Sequence, residues 1–404
     1  MSPGRSALVA AGKRFRTEGI SRRVRQITVS AIKEMPLLAE KVGGCVSLGQ
    51  GIPSFATPPH IVEAVCRFLR DSATSGKYTL GPGLPELREA IAGEILTRHG
   101  VAFDPDREIC ITAGAMEGLL AAILTVVERG DEVILPSPNY ASHIEQVLMA
   151  EGEVVFAPLA EDGWRLDLER LQQAMSSRTR AMILCNPHNP TGAHFPEEDV
   201  RSLAELLLER QIIVICDETY DFLTYDGADH FSLLSIPELK DQVIATFSFS
   251  KKYAMTGWRV GAVVTSEGLL DQIMKVHDAA VICAPTPSQY AALAALEGPQ
   301  DCVAFFRQQL QQRRDLICRR LDELQHWFSY VKPQGAYYLM VRYLDQQVDS
   351  MSYALELLRE ARVITIPGGA FGPTGEGHLR LSFGGTEEEL HQAMDRIQSW
   401  LEKR

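Results

Sequence analysis

The 404-residue sequence lacks long apolar runs, internal repeats and an excess of positive charge. No stretch of about 18 uncharged apolar residues occurs, so no segment is expected to span a membrane. The formal net charge is -12. An acidic body argues against binding to a phosphate backbone, because like charges repel. We therefore expect small-molecule substrates and no nucleic-acid or membrane partner.

Paired cysteine motifs are also missing. The eight cysteines form no C-x-x-C pair, and Cys110, Cys185 and Cys216 lie within apolar runs typical of strands. Disulfide and zinc frameworks usually show closely paired cysteines. The pattern therefore predicts buried free thiols in a reducing, cytoplasmic compartment and no metal site.

The first 25 residues differ from the rest in charge. They hold seven Lys or Arg and one Glu, a net of +6 that leaves -18 for the remainder. A disordered basic arm is the preferred interpretation of residues 1–25. An organellar targeting segment is the second interpretation, because such segments are rich in arginine and poor in acids. No apolar core of a secretory signal is present.

What the sequence does contain is a core-forming composition and a regular alternation of elements. Hydrophobic residues make up 46% of the chain, which is enough for one large or two ordinary domains. Strand-like runs alternate with helical patterns from about residue 108 to 280, the mark of a mostly parallel sheet covered by helices on both faces. Strands are predicted at 108–112, 132–135, 153–157, 180–185, 212–216, 243–247 and 259–265. Helices are predicted at 26–45, 58–70, 85–99, 113–130, 140–150, 167–175, 196–210 and 267–280.

Beyond residue 285 the pattern changes. Long helices are predicted at 286–298 and 301–326, then a strand at 335–341 with one exposed face and a final helix from about Thr386. The glycine-rich loop 368–377 is interpreted either as a solvent turn or as a loop near the substrate. We predict a large domain at 46–285 and a smaller α+β domain formed by 26–45 and 286–404.

Three predicted strands end in polar residues that a core does not need. Residues 186–192 read Asn-Pro-His-Asn-Pro-Thr-Gly, where the prolines stiffen the turn that holds Asn189. Asp217 ends a buried strand, where a carboxylate is costly without a partner. Lys251 follows the strand at 243–247. Carboxyl ends of strands in an open α/β sheet are where ligands bind, so these side chains are expected to meet in one crevice.

Lys251 is the candidate covalent catalyst. A lysine that is desolvated and close to another cation, here Arg259, has a lowered pKa and can attack a carbonyl as the free amine. An ordinary surface lysine is the alternative on residue type alone. The turn from Gly114 to Met116 joins a strand to a helix N-terminus and so suits an anion. Gly51 would let the backbone approach a ligand closely.

These motifs together resemble a known family. The combination of N-P-x-N-P-T-G, D-E-x-Y and S-F-S-K-x-x-x-M-x-G-W-R-x-G, in this order and spacing, is similar to the class I pyridoxal 5'-phosphate (PLP) aminotransferases. These belong to the aspartate aminotransferase superfamily and adopt the PLP-dependent transferase fold type I. The resemblance extends from about residue 26 to 404.

For the cofactor ring, the resemblance implies that Lys251 forms a Schiff base with the aldehyde and that Asp217 pairs with the pyridine nitrogen. Asn189 and Tyr220 would hydrogen-bond the phenolic oxygen, and Tyr140 would stack on the ring. The implied catalytic residues are Lys251, Asp217 and Tyr220.

For the phosphate, the resemblance implies binding by Ser248, Arg259 and backbone groups of Gly114, Ala115 and Met116. Tyr78 matches a tyrosine that reaches the phosphate from the neighbouring subunit, which implies a homodimer. Arg380 would bind the substrate α-carboxylate, assisted by Asn189 and the Gly51 backbone.

The implied reaction is exchange of an amino group between an L-amino acid and a 2-oxo acid. Met116 stands where some relatives that favour acidic substrates have a lysine, and residues 271–290 contain only Lys275 and His277 as basic residues. These departures favour neutral or aromatic donors over acidic ones. A PLP-dependent C-S lyase, or α,β-eliminase, of the same fold is the alternative. A PLP-binding regulator without catalysis is a distant one, because about 45 residues leave no room for a DNA-binding domain.

Overall fold

The computed structural model describes residues 19–27, 31–345 and 347–404. Its strands are β1 (Val46–Ser47), β2 (Ile109–Thr112), β3 (Glu132–Ser137), β4 (Glu153–Pro158), β5 (Thr179–Cys185), β6 (Ile213–Asp217), β7 (Val243–Ser248), β8 (Gly261–Thr265), β9 (Phe328–Tyr330), β10 (Tyr338–Tyr343), β11 (Val363–Ile364), β12 (Ile366–Pro367) and β13 (His378–Ser382).

Its α-helices are α1 (Arg22–Gln26), α2 (Ala31–Val42), α3 (Pro59–Asp71), α4 (Pro85–His99), α5 (Ala115–Val126), α6 (Ala141–Met149), α7 (Leu168–Ala174), α8 (Glu197–Arg210), α9 (Phe249–Lys252), α10 (Glu267–Val281), α11 (Thr286–Glu297), α12 (Asp301–Asp322), α13 (Ser350–Glu356) and α14 (Glu387–Leu401). Within the described ranges, no helix has the length and apolarity needed to cross a membrane.

A seven-stranded sheet forms the centre, in the order β2-β8-β7-β6-β5-β3-β4. Strands β3 to β7 pair in parallel, whereas β8 runs antiparallel to both β7 and β2. This reversal places the start of β8 at the same edge as the ends of β6 and β7. Arg259, just before β8, therefore lies on the edge where Asp217 and Ser248 end their strands.

Helices cover both faces of this sheet, as the alternation predicts. Successive residues of one strand point to opposite sides. Ile183 of β5 packs in a cluster with Leu119 of α5, while the adjacent Leu184 packs in a second cluster with Leu207 of α8. Buried Cys110, Cys185 and Cys216 lie on β2, β5 and β6. The predicted mostly parallel, doubly covered sheet is confirmed.

A second sheet is antiparallel, in the order β12-β13-β10-β9, and β1 pairs separately with β11. Helix α2 packs against β11 and β12, so residues near the N-terminus lie against the C-terminal third. The proposed boundary between two domains at residues 45 and 285 stays a prediction.

Two expectations for these regions need correction. The predicted helix at 26–45 is shorter, since α2 spans Ala31–Val42 and a separate exposed turn, α1, covers Arg22–Gln26, which includes part of the predicted disordered arm. The rest of that arm, up to residue 18, lies outside the described residues. The predicted strand at 335–341 begins at Tyr338, and Tyr338 to Val341 are all buried. The strand lies between β9 and β13, with packed side chains on both faces.

Candidate active site

The carboxyl edge of the central sheet opens into a cavity of about 370 Å³. Strands β6 and β7 and the segment just before β8 contribute side chains from one side, and the loop after β1 and strands β10 and β13 close the other. Most of the predicted site residues line this cavity: Gly51, Ala115, Met116, Tyr140, Asn189, Asp217, Tyr220, Ser248, Lys251, Arg259 and Arg380. The sequence placed these residues far apart, and the fold brings them together.

Lys251 lies on the one-turn helix α9. Ser248 begins this turn, because its side-chain oxygen accepts a hydrogen bond from the Ser250 amide at 3.2 Å. The Lys251 ammonium donates to the carbonyl oxygen of Gly51. Burial, together with the charges of Arg259 and Arg380, lowers the pKa of Lys251 to about 8, against a weaker opposing effect of Asp217. About a tenth of Lys251 is therefore unprotonated and nucleophilic at pH 7, far more than for a lysine with its ordinary pKa.

Asp217 ends β6 and is 5% exposed. Its Oδ1 accepts hydrogen bonds from the Thr219 amide at 3.1 Å and the Thr219 hydroxyl at 2.6 Å, and His143 Nε2 lies 3.2 Å from its Oδ2. Burial acts to raise the pKa of Asp217, but the hydrogen bonds and charge of His143 and the bonds from Thr219 hold it below its usual value. The site thus holds a buried carboxylate in its ionised form.

Aromatic rings line the cavity beside Asp217. The hydroxyl of Tyr220 lies 3.0 Å from that of Tyr338, and both side chains are buried. Burial raises the pKa of Tyr220 well above its ordinary value, so this phenol stays protonated and can donate a hydrogen bond. Tyr140 meets the ring of His143 edge-on, with centroids 5.4 Å apart.

One end of the cavity is built for an anion. Gly114 precedes α5 with φ +82°, a conformation that favours glycine. A Cβ at this position would lie 2.5 Å from Nη2 of Arg259, so only glycine permits the guanidinium to approach the helix N-terminus. Arg259 Nη1 otherwise donates to the Thr256 carbonyl at 3.1 Å. Backbone amides at a helix start, a hydroxyl from Ser248 and a guanidinium together suit a phosphate.

The opposite end holds Arg380, which is 1% exposed. Its Nη1 donates to Asn189 Oδ1 at 3.1 Å and its Nη2 to the Gly49 carbonyl at 2.7 Å, while Nε has no partner. The guanidinium carbon lies 4.4 Å from the ring centre of Tyr338 and 4.9 Å from that of Phe371. Two aromatic rings hold the guanidinium in place without neutralising its charge.

Charge in the cavity is unbalanced. Among the described residues that line it, Lys251, Arg259 and Arg380 are cations and Asp217 is the one acid. Among the described residues, no carboxylate forms a salt bridge with Lys251, Arg259 or Arg380. A cavity with this excess of positive charge attracts anionic ligands, and it offers a guanidinium at each end.

The comparison with known proteins agrees with this arrangement. A model of the family described as aminotransferase class I and II matches residues 44–397. The chain belongs to this family. The aminotransferases of this family depend on PLP, and this chain is an aminotransferase.

Relatives match the chain over nearly its whole length. Aromatic-amino-acid aminotransferase 2 of Thermococcus litoralis is 34% identical and aligns with 95% of this chain and 99% of its own. The probable aspartate aminotransferase of Methanocaldococcus jannaschii is 36% identical, covering 95% of this chain and all of the relative (100%). The crystal structure of the aromatic aminotransferase of Pyrococcus horikoshii superposes with a TM-score of 0.88 at 34% identity, covering 95% and 98% of the two chains. The implied fold type I is thereby confirmed.

The residues fit PLP. Its phosphate matches the anion end beside Gly114 and Arg259, its aldehyde matches the amine of Lys251, and its ring nitrogen matches the buried carboxylate of Asp217. The partnerless Nε of Arg380 at the far end leaves a donor for a substrate carboxylate.

One predicted residue lies elsewhere. Tyr78 does not line the cavity of its own chain, and its side chain is 76% exposed. Leu80 is 77% exposed close by in sequence. Two large side chains, a tyrosine and a leucine, are thus exposed within three residues of one loop.

Sequence reasoning missed several residues of the site: Gly49, His143, Thr219, Tyr338 and Phe371. Tyr338 stood inside a segment predicted to be a half-exposed strand, so its contact with Arg380 gave no sequence signal. Phe371 lies in the glycine-rich loop, which the contact with Arg380 places next to the substrate end and not in solvent. His143 gave no sequence signal either, because its contact with Asp217 joins residues 74 positions apart.

Proposed function

We propose that the protein is a PLP-dependent aminotransferase in which Lys251 holds the cofactor covalently and transfers the substrate proton. The observation that supports this most is the single cavity shared by a lysine of lowered pKa, a buried ionised aspartate and two arginines free of carboxylates. Bound PLP supplies an electron-withdrawing ring that stabilises negative charge at the substrate Cα.

Each residue around the cofactor ring has a separate role. Asp217, ionised and supported by His143, keeps a proton on the ring nitrogen. Tyr220 and Asn189 donate hydrogen bonds to the phenolic oxygen. Tyr140 covers the ring. Lys251 Nζ would hold the cofactor aldehyde, and as a free amine it would accept and return the proton of the substrate Cα, a positioned transfer that contributes about 10²- to 10⁴-fold to rate.

Phosphate binding involves the anion end of the cavity. The backbone of Gly114, Ala115 and Met116 and the side chains of Ser248 and Arg259 hold the phosphate. In a homodimer, Tyr78 of the partner subunit adds its hydroxyl to the same group. The exposure of Tyr78 and Leu80 in a single chain supports a second subunit over this loop.

Arg380 binds the α-carboxylate of the amino acid, with Asn189 and the Gly51 backbone beside it. A fixed carboxylate sets which Cα bond stands perpendicular to the ring and so directs the reaction towards proton removal. The remaining wall favours neutral or aromatic side chains. It includes Ile32, Pro36, Ile52, Met116 and Leu119, and among the described lining residues no further cation is present to bind a distal carboxylate.

Two measurements test this function. The purified chain with PLP is expected to absorb in the visible, and borohydride treatment should fix the cofactor mass on the peptide that contains Lys251. Lys251→Arg should lose both the label and transamination, while the control Lys275→Arg, on the exposed face of α10, should keep both. A label on another lysine, or substantial turnover by Lys251→Arg, would refute the assignment.

A panel of donors tests the substrate. Phenylalanine, leucine, alanine and aspartate are each paired with 2-oxoglutarate and with pyruvate. We expect neutral or aromatic donors to give a higher kcat/KM than aspartate. Release of pyruvate and ammonia from cystathionine without an added oxo acid would instead support a C-S lyase.

A further inference from the structure

Helix α9, which carries Lys251, is too short to fix its own position. It spans four residues, Phe249–Lys252. Of the backbone hydrogen bonds that follow it, two are long, 3.3 Å from the Tyr253 amide to Phe249 and 3.5 Å from the Ala254 amide to Lys251, and one, from the Met255 amide to Ser250, has an ordinary length of 3.0 Å. A single helical turn has little stability of its own, because the cost of nucleation is recovered only over several turns. Other contacts must hold this turn.

Apolar packing around α9 is incomplete, so it does not by itself hold the turn in position. A cavity of about 40 Å³ lies behind the turn, between α4 and the end of β7, and its walls include Ile95, Phe249 and Leu296. Ser248 lines both this cavity and the active site. The turn is therefore a thin wall between two spaces, and a void on one side removes packing contacts that would resist its movement.

Lys252 provides an anchor on that side. Its ammonium forms an ion pair with Glu94 Oε1 of α4, and the side chain is 14% exposed. Arg98, one helical turn beyond Glu94, lies 3.6 Å from the same carboxylate oxygen and pairs with Asp221, the residue after Tyr220. The chain of ion pairs thus joins the turn of Lys251, helix α4 and the turn of Tyr220. Lys251 and Lys252 leave the same turn in opposite directions.

We propose that Lys252, held by Glu94, is a positioning residue that fixes the orientation of α9 and so keeps Lys251 Nζ inside the active-site cavity. The proposal rests on the proposed role of Lys251 as the cofactor-binding lysine. Loss of the pair leaves the turn to shift towards the cavity behind it, which makes Lys251 more exposed and the bound cofactor easier to lose.

The test uses the holoprotein with Lys252→Met, Glu94→Gln and the double variant. Two quantities are measured, the rate at which the visible band disappears on dilution and the pH midpoint of that band. Because a partly buried ion pair contributes on the order of 1 kcal/mol, each single variant is expected to release cofactor about fivefold faster. The double variant should be no worse than the singles, since both remove the same pair.

The pH midpoint separates positioning from simple electrostatics. If Lys252 and Glu94 act only through their charges, removal of the cation raises the midpoint and removal of the anion lowers it. If they position the turn, both changes expose the Lys251 nitrogen and both raise the midpoint. Opposite shifts, or wild-type release rates in both single variants, would overturn the proposal.

Controls distinguish this role from general stability. Lys275→Met removes an exposed lysine whose ammonium donates to Gln272 Oε1 at 2.6 Å, and it should match the wild type. Lys252→Arg keeps a cation for Glu94 and should restore slow release, even if Lys252→Met folds poorly. If faster release occurs in Lys252→Arg as well, the pair is not the anchor. A wild-type protein labelled by borohydride at another lysine would instead mark failure of the proposed function.

Discussion

His143 and Asp217 form a buried pair, with the imidazole Nε2 3.2 Å from the carboxylate Oδ2, although 74 residues separate them. The other ring nitrogen of His143 lies 2.7 Å from Asn139 Oδ1, which fixes the plane of the ring. Burial alone would raise the pKa of Asp217, and His143 is the first of the contacts that reverse this effect. The ionised state of Asp217, at the end of β6, therefore depends on a residue of helix α6.

Substitutions of Asp217 and of His143 test whether the charge of Asp217 depends on His143. Asp217→Asn removes the charge, and kcat for the amino-donor half-reaction is expected to fall by about 10²- to 10³-fold, as for loss of other preorganised electrostatic groups. His143→Phe leaves the carboxylate but removes its donor, so the pKa of Asp217 rises and a loss of about tenfold is expected. Stopped-flow absorbance would measure both. An unchanged kcat in His143→Phe would contradict the dependence of the Asp217 charge on His143.

Arg380→Lys tests substrate orientation. A lysine provides one point charge where arginine provides two parallel hydrogen bonds, so KM for the amino acid should rise about 10- to 100-fold. An amine with the same side chain but no carboxylate is the matched control substrate. The wild type and Arg380→Lys should convert this amine at similar low rates. A large difference with the amine would mean that Arg380 serves another purpose.

The lowered pKa of Lys251 predicts how cofactor capture depends on pH. The attacking form is the free amine, and the pKa of about 8 means that this form is scarce below pH 8 and dominant above it. The rate of PLP capture by the cofactor-free chain should therefore rise about tenfold per pH unit below pH 8 and level off above it. Growth of the visible band gives the rate. A rise that continues to about pH 10.5 would contradict a desolvated lysine.

Mixed dimers test the shared site. Lys251→Ala and Tyr78→Ala chains are each expected to be impaired, for different reasons. When the two are unfolded and refolded together, a heterodimer has one site with both Lys251 and the partner subunit's Tyr78. Random pairing should restore about one quarter of the intact sites. No gain over the sum of the separate variants would show that Tyr78 serves its own chain or has no role in the site.

Sequence patterns predicted the strands and helices of the centre with boundaries close to those observed. β5 and β6 are continuous apolar runs, and such runs indicate strands buried on both faces. The predicted first residue of β8 was wrong, because the strand starts at Gly261 and not at Arg259. Arg259 has φ +54°, a left-handed conformation that ends the preceding turn. Nothing in its residue type signals this, because a residue other than glycine, asparagine or aspartate rarely adopts a left-handed conformation.

The site was predictable only in part, for the same reason. Lys251, Asp217 and Asn189 each stand at the end of an apolar run, so local pattern was sufficient to single them out. Phe371 and Tyr338, which hold Arg380, belong to segments with no local mark of a binding site. Their role depends on contacts with Arg380, which lies 9 residues after Phe371 and 42 residues after Tyr338, and on the pairing of β10 with β13.

The sequence by itself determined which residues end the strands, which glycine permits a close approach and how the charges are divided along the chain. Tertiary structure alone decided the reversed direction of β8, the enclosure of Arg380 between two rings and the pairing of His143 with Asp217. The physical reason is range. Strand and turn preferences act between near neighbours, whereas burial and electrostatic effects on a pKa depend on whatever the fold brings within a few ångströms.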